Sequence, residues 1–376
     1  MRTRPGPALK EETPRAGPFP EKRDSPALLG LPWVPMTWEL RRHPLRGEWV
    51  VVATHRQDRP WQGFRADSED ASPPPFDPEC PFCPGNARVG GARNPDYRGV
   101  FAFDNDRPCA GEEAPPPGPA PGGPYRTRRA LGRSRVLCYH PRHDLSLARM
   151  REEEVFRAVR AWQEERRELS RIEGVEHVFL FENRGREVGV SNPHPHCQIY
   201  AVPFVFETIR KEAERARRHA RERSGTLLGA MLEREKAQGL RIVAERDGML
   251  AFVPFCARFA YETWIAPERP VGAVEELEEE ETRALAGLLR SVLARLDNLW
   301  KRPMPYILAS HDAPAGGSRG FHFHLEIYPL LRKPGLLKHL AGPETGGGSF
   351  LADTCPEEKA AELRAAPERH YLEEEA

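Results

Sequence analysis

The sequence has no surplus of either charge. Its 376 residues carry 56 Lys and Arg against 56 Asp and Glu, a formal net charge of zero. General nucleic-acid and membrane-surface binders show a basic excess, so that class is excluded. Also missing is any apolar run near the roughly 18 residues of a membrane span. The opening segment is charged and lacks an apolar centre, so no signal peptide is expected. Seven cysteines are few for this length, and only Cys80 and Cys83 stand close together. That argues against a disulfide scaffold and for a reducing cytoplasm.

Proline and glycine are plentiful, at 39 and 31 residues, above the roughly 12% combined of ordinary proteins. Element interiors reject proline, so the excess must be localised. One concentration is residues 1–35, proline-rich, charged and without periodicity, read as a disordered tail. It is either a true tail or lies ahead of a start at Met36. The other is 115–124, the heart of an insertion at about 111–124, read as a surface loop.

The rest is patterned. Strands are predicted at 48–53, 99–103, 135–139, 175–181, 196–202, 241–246, 249–254, 261–265, 305–310 and 321–328. Helices are predicted at 152–172, with Val155, Val159 and Trp162 on one face, at 207–236 with a break near Gly225, and at 275–300. A short repeat is present. His194-Pro-His196-Cys-Gln198-Ile199-Tyr200 matches His322-Phe-His324-Leu-Glu326-Ile327-Tyr328 at an offset of 128 residues. Asn183 and His311, each at a strand end, match at the same offset. The predicted class is α+β and internally duplicated, two halves of antiparallel sheet with packed helices. The halves are 36–203 and 204–350, followed by a C-terminal helix or tail at 351–376.

Strand alternation places His194, His196 and Gln198 on one face, an unusual set for a core. A single solvent-facing histidine would be unremarkable; three polar groups after Ser191-Asn192-Pro193 indicate a site. Cys80 and Cys83 have the spacing of two zinc ligands. A redox pair would share that spacing. No second CxxC is present, so zinc would need distant partners, for which His143 and His194 are available. His311, His322, His324 and Glu326 form a second group of ligand types, suited to zinc or iron(II) or to a satisfied polar patch. Glu276–Glu281 reads as a solvated helix start. Residues 207–223 read as a charged helix face, Cys109, Cys138, Cys256 and Cys355 as free thiols, and Trp49, Trp61 and Trp162 as packing residues.

Together these residues resemble a known family. SNPHPHCQIYA (191–201) is similar to the SNPHPHxQ signature of galactose-1-phosphate uridylyltransferases, a branch of the histidine-triad superfamily. The resemblance continues through RPWQG (59–63), CPFCPGN (80–86), NPDYRG (94–99), FDNDRP (103–108), FENRG (181–185), SHDAP (310–314) and HFHLEIYPLLR (322–332). It implies a histidine-triad-like fold in both halves. It also implies ping-pong transfer of a uridylyl group from UDP-glucose to galactose 1-phosphate, giving UDP-galactose and glucose 1-phosphate. His196 would be the nucleophile, and Ser191 and Gln198 would contact the phosphates. Imidazole suits the task because its neutral nitrogen attacks near pH 7 and its adduct stays reactive. A glutamine at 198 donates hydrogen bonds but cannot serve as general acid or base for water, which favours transfer over hydrolysis.

By the same resemblance Asn105, Asp106, Asn183 and Gly189 would meet the nucleotide, as would Arg41, just before the first strand. Lys338 and Glu344 would meet the hexose phosphate. Cys80, Cys83, His143 and His194 would hold a structural zinc. Glu212, His311 and His324 match three ligands of a second site for iron or zinc, where Glu326, or His322, stands in for the expected fourth histidine. Family members pair as homodimers with sites built from both subunits. Two other readings stand beside this one. One is an adenylyltransferase or phosphorylase acting on ADP-sugars or dinucleoside polyphosphates. The other is a metal-stabilised binding protein without turnover.

Overall fold

A computed structural model describes residues 38–54, 73–118, 120, 122–190 and 192–373. The proline-rich tail, Met36, the 59–63 motif with Trp61, and Ser191 lie outside the described residues. The chain builds β1 (Trp38–Arg42), β2 (Trp49–Ala53), β3 (Phe101–Asp104), β4 (Arg133–Cys138), α1 (Glu152–Leu169), β5 (His177–Arg184) and β6 (His196–Val202). It continues with α2 (Glu207–Glu222), α3 (Leu227–Gln238), β7 (Ile242–Arg246), β8 (Met249–Phe252), β9 (Thr263–Pro267), α4 (Glu279–Asn298), β10 (Tyr306–His311) and β11 (His324–Pro329). It closes with β12 (Leu331–Lys333), β13 (Leu336–Leu337), β14 (Leu351–Ala352) and α5 (Pro356–Ala365).

Nine strands make one antiparallel sheet, in the order β3-β4-β6-β5-β10-β11-β9-β8-β7. The fold is α+β, and its duplication is written in the register. Phe181 and Val136 flank Gln198 across β5, β6 and β4; Ala309 and Trp264 flank Glu326 across β10, β11 and β9. All three pairs of positions differ by the same 128 residues as the sequence repeat. The halves join where β5 pairs with β10. In each, one helix connects the first two of these three strands in chain order: α1 joins β4 to β5, and α4 joins β9 to β10.

Both connecting helices, α1 and α4, pack together over one face of the sheet. The predicted face of α1 is the buried one: Val155, Val159 and Trp162 are at most 1% exposed. They share a core with Leu180, Ile199, Leu285, Leu289, Val292, Leu325 and Ile327. Each fully buried side chain of this size contributes roughly 1.5–3 kcal/mol. Three glutamates open α1 and Arg166 and Arg167 close it, complementing the helix dipole. The predicted 207–236 helix is two helices. Gly225, at φ +75°, turns the chain as predicted, and Thr226 caps α3 by accepting from the Gly229 N–H at 3.0 Å.

The other face of the sheet differs between halves. Over the first half it is partly covered by Phe82 and Tyr97 and otherwise open. Over the second it is covered by α3 and the β1–β2 loop, whose Leu228, Leu232 and Leu45 pack on Phe252 and Trp264. The β1–β2 hairpin and β14 form a separate three-stranded sheet, with β14 parallel to β2. Of the predicted C-terminal segment, residues 351–365 therefore supply a strand and a helix to the body. Trp49, expected to pack inside, is 50% exposed on that hairpin. Residues 111–124 carry no helix or strand among the described residues. No described helix is long and apolar enough to cross a membrane.

Candidate functional site

The open face of the first half is a cleft of about 250 Å³. On β6, Cys197 and Ile199 point to the helices, so alternation turns His196 and Gln198 into the cleft. Of the residues anticipated from sequence, Asn105, Asp106, Asn183, Gly189, His196 and Gln198 line it. Phe82, Phe103, Val136 and Phe181 give it apolar walls. Those walls went unassigned in the sequence, although Phe82, Phe103 and Phe181 all lie inside the quoted motifs. The Phe82 ring stands edge-on to His196 at 4.8 Å and meets Phe103 at 5.8 Å.

His196 is held in one orientation. Its Nδ1 lies 2.7 Å from the His194 carbonyl, which accepts the ring proton and leaves the Nε2 lone pair free. Burial lowers its pKa, opposed by that backbone hydrogen bond, so the imidazole is neutral near pH 7. Gln198 is oriented by Tyr200, whose hydroxyl donates to Oε1 at 2.9 Å. The amide N–H groups are left to donate elsewhere.

His194 is not on the strand face with these two. It precedes β6, held there by its backbone N–H donating to Asn192 Oδ1 at 3.0 Å. Its ring turns into a buried cluster with Cys80, Cys83 and His143, whose ligand atoms all lie within 4.8 Å of one another. Cys83 Sγ is 3.7 Å from His143 Nδ1 and 3.6 Å from His194 Nδ1. A tetrahedral zinc with ordinary Zn–S and Zn–N bonds would separate such a pair by about 3.6 Å. The tautomer agrees. The Tyr97 hydroxyl donates to the Phe82 carbonyl at 2.6 Å and lies 3.0 Å from His194 Nε2. The ring proton therefore sits on Nε2, and Nδ1 faces the cluster with a lone pair.

The loop carrying the cysteines is clamped by Asn86, which donates to the Cys80 carbonyl at 2.9 Å, and Asn94, which donates to the Cys83 carbonyl at 3.0 Å. Without a cation, burial raises the Cys83 thiol to about 11, and burial and the neighbouring histidines lower His194 to about 3. A cation would favour the thiolate directly. Asn192 spans both features, lining the cleft and donating to Cys80 Sγ at 3.3 Å.

A second buried cluster joins Glu212 of α2, His311 of β10, and His324 and Glu326 of β11. It occupies the face that in the first half is the cleft. His322, placed with this group by strand parity, does not join it. Strand β11 begins at His324, and the His322 ring is tied to the Thr226 hydroxyl at 2.7 Å and the Pro267 carbonyl at 2.8 Å. Arg46, unremarked in the sequence, enters the cluster from the β1–β2 loop. Its Nε donates to Glu212 at 2.9 Å and its Nη2 to Glu326 at 2.5 Å.

Three anticipated substrate residues lie away from their own chain's cleft. Arg41 is inside β1, a strand the sequence did not reveal. Its guanidinium is buried against Glu357 at 3.0 Å and the Phe255 carbonyl at 3.0 Å. Lys338 donates to the Leu351 carbonyl at 2.7 Å and pairs with Glu344 at 3.4 Å. These two are together but do not line the cleft. Ser191 falls outside the described residues.

Residues 35–205 match the N-terminal domain of galactose-1-phosphate uridyl transferase, and residues 212–375 match its C-terminal domain. The chain is 35% identical to a galactose-1-phosphate uridylyltransferase of Haemophilus influenzae over 336 residues, covering 89% of this chain and 95% of that protein. It is 36% identical to one of Thermotoga maritima over 329 residues, covering 87% and 98%. A solved structure described as a uridylyltransferase superposes with TM-score 0.70 at 33% identity, covering 87% of this chain and 97% of the other. An ADP-glucose phosphorylase of Arabidopsis thaliana with bound ADP-glucose shares the fold, with TM-score 0.71 at 21% identity, covering 88% and 99%.

Proposed function

The chain belongs to the galactose-1-phosphate uridylyltransferase family, and on that premise we propose that it carries a uridylyl group from UDP-glucose to galactose 1-phosphate through His196. The observation that carries this is the His196 imidazole itself. It is neutral, fixed at Nδ1, and set in a cleft between aromatic walls and amide side chains. Its Nε2 lone pair attacks the α-phosphorus of UDP-glucose. The P–O bond to glucose 1-phosphate breaks, and that group leaves with the bonding pair. UMP remains as a phosphoramidate on the ring. A phosphate oxygen of galactose 1-phosphate then attacks the same phosphorus, and the pair returns to His196.

Gln198, its carbonyl end occupied by Tyr200, donates to a non-bridging phosphoryl oxygen as charge builds there. Its amide holds no titratable proton, so water gains no general base from it. Ser191 is assigned a phosphate contact. Asn105, Asp106, Asn183 and Gly189 are assigned the nucleotide, with Phe82, Phe103 and Val136 enclosing the base. Protein groups supply local hydrogen bonds for these anions, in keeping with a chain of zero net charge.

Cys80, Cys83, His143 and His194 would hold zinc. A zinc with four protein ligands has no open position, so it would supply a cross-link and no Lewis acid. That cross-link fixes the His194 carbonyl on which His196 depends. The second cluster has donor types that suit zinc or iron(II). A divalent ion does not fit beside Arg46, which is already bonded to both carboxylates.

A homodimer is proposed. Support comes from Trp38, Leu40 and Trp49, exposed together on one hairpin. Free cysteines support a cytoplasmic setting. The test is exchange of labelled glucose 1-phosphate into UDP-glucose without galactose 1-phosphate. Wild type should catalyse it and His196→Ala should not. Exchange only with ADP-glucose would reassign the nucleotide.

A further inference from the structure

We propose that in this chain the buried cluster of Glu212, His311, His324 and Glu326 is held together by the Arg46 guanidinium in place of a metal ion. The four residues have ligand chemistry, but their carboxylate oxygens are all engaged. Glu212 accepts from Arg46 Nε at 2.9 Å on one oxygen and meets His311 Nδ1 at 2.8 Å on the other. Glu326 meets His324 Nε2 at 3.2 Å on one oxygen. Its other oxygen accepts from Arg46 Nη2 at 2.5 Å, from the Tyr328 hydroxyl, and from Arg258 Nη2 at 3.4 Å.

Two guanidiniums already offset most of the charge of three carboxylates. Glu212, Glu326 and the neighbouring Glu262 face Arg46 and Arg258, with Arg258 3.6 Å from Glu262. A divalent ion would place two further positive charges beside the buried Arg46 guanidinium. It would also have to strip hydrogen bonds from both carboxylates. The cysteine cluster is the contrast. Its described contacts include no guanidinium or ammonium, so its sulfur and nitrogen atoms face no competing cation.

Arg46 is delivered by design of the turn before β2. The His43 ring accepts the Arg46 backbone N–H at 3.2 Å, and the Gly47 N–H donates to the His43 carbonyl at 2.8 Å. Gly47 sits at φ +72°, and a Cβ there would come within 2.7 Å of Arg215. Leu45 anchors the same turn in the cluster with Leu228 and Trp264. The side chain of Arg46 is 2% exposed. One guanidinium thereby joins the β1–β2 hairpin to α2 and β11, where a metal on the four side chains would join α2 to β10 and β11 alone.

The test is metal content of the full chain, expressed once with added zinc and once with added iron(II). Wild type is expected to hold one equivalent per chain in both cases, and a Cys80→Ser, Cys83→Ser variant none. Two equivalents in wild type, or one remaining in the cysteine variant, would overturn the proposal. Arg46→Ala leaves the carboxylates bare, so it should take up one additional equivalent. Its Tm should fall relative to wild type and recover with added zinc or iron(II), whereas wild type should not respond at this site. A folded Arg46→Ala that binds no more metal than wild type would also overturn it. Should Arg46→Ala fail to fold, the wild-type and cysteine-variant counts decide.

Discussion

Glu182 offers a quantitative check on the architecture behind the cleft. On β5, Phe181 and Asn183 face the cleft, while Glu182 points the other way into the core. There it accepts from Tyr139 at 3.0 Å and from Tyr306 at 2.8 Å. Burial raises its pKa from an ordinary 4.5 to about 7, against the lowering effect of the two hydroxyls. The folded state therefore keeps a proton that the unfolded state has lost. Stability from this group is full below pH 4.5 and declines until about pH 7. By linkage the decline is roughly 3 kcal/mol. Glu182→Gln preserves shape and hydrogen bonding but cannot titrate. Urea unfolding of both proteins from pH 5 to pH 8 isolates the effect, because other titrating groups cancel in the difference. The variant should gain about 2.5 kcal/mol relative to wild type across that range. A difference that stays flat with pH would refute the reasoning.

Other outcomes concern the site directly. Cys83→Ser should abolish zinc at the first cluster and lower Tm; unchanged metal content by elemental analysis would contradict the ligand set. Tyr97→Phe removes the acceptor for the His194 ring proton and should weaken zinc affinity about 10- to 100-fold, read by competition with a chelator. Gln198→His should slow transfer and raise release of free UMP from UDP-glucose. Equal transfer rates would remove Gln198 from its assigned role.

The parts legible in sequence were those with a local signature. Alternation along 196–202 put His196 and Gln198 on the face that lines the cleft, and the repeat at 128 residues foretold two halves with matching register. The same alternation failed one step earlier, at His194 and at His322. Each lies just outside its strand, where turn hydrogen bonds and not the pleat set the direction of the ring. Strand β1 is short and mostly charged, so Arg41 seemed to lie in a loop. Strand β14 is two residues long and has no period to detect. Arg46 sits in a turn that reads as solvent-exposed. Its partners are 166 and 280 residues away, a pairing only the folded chain displays. The second half keeps the chemistry of the repeat but is roofed by α3 and the hairpin loop. That covering closes over the second cluster, where the first half has its cleft.

The most direct test of the account is covalent capture on His196. The protein is incubated with UDP-glucose labelled at the α-phosphate, denatured, and digested. Label should be retained on the peptide containing His196, survive alkali, be lost in acid, and discharge as UDP-galactose when galactose 1-phosphate is added before denaturation. Absence of label in wild type, or equal labelling of His196→Ala, would contradict it.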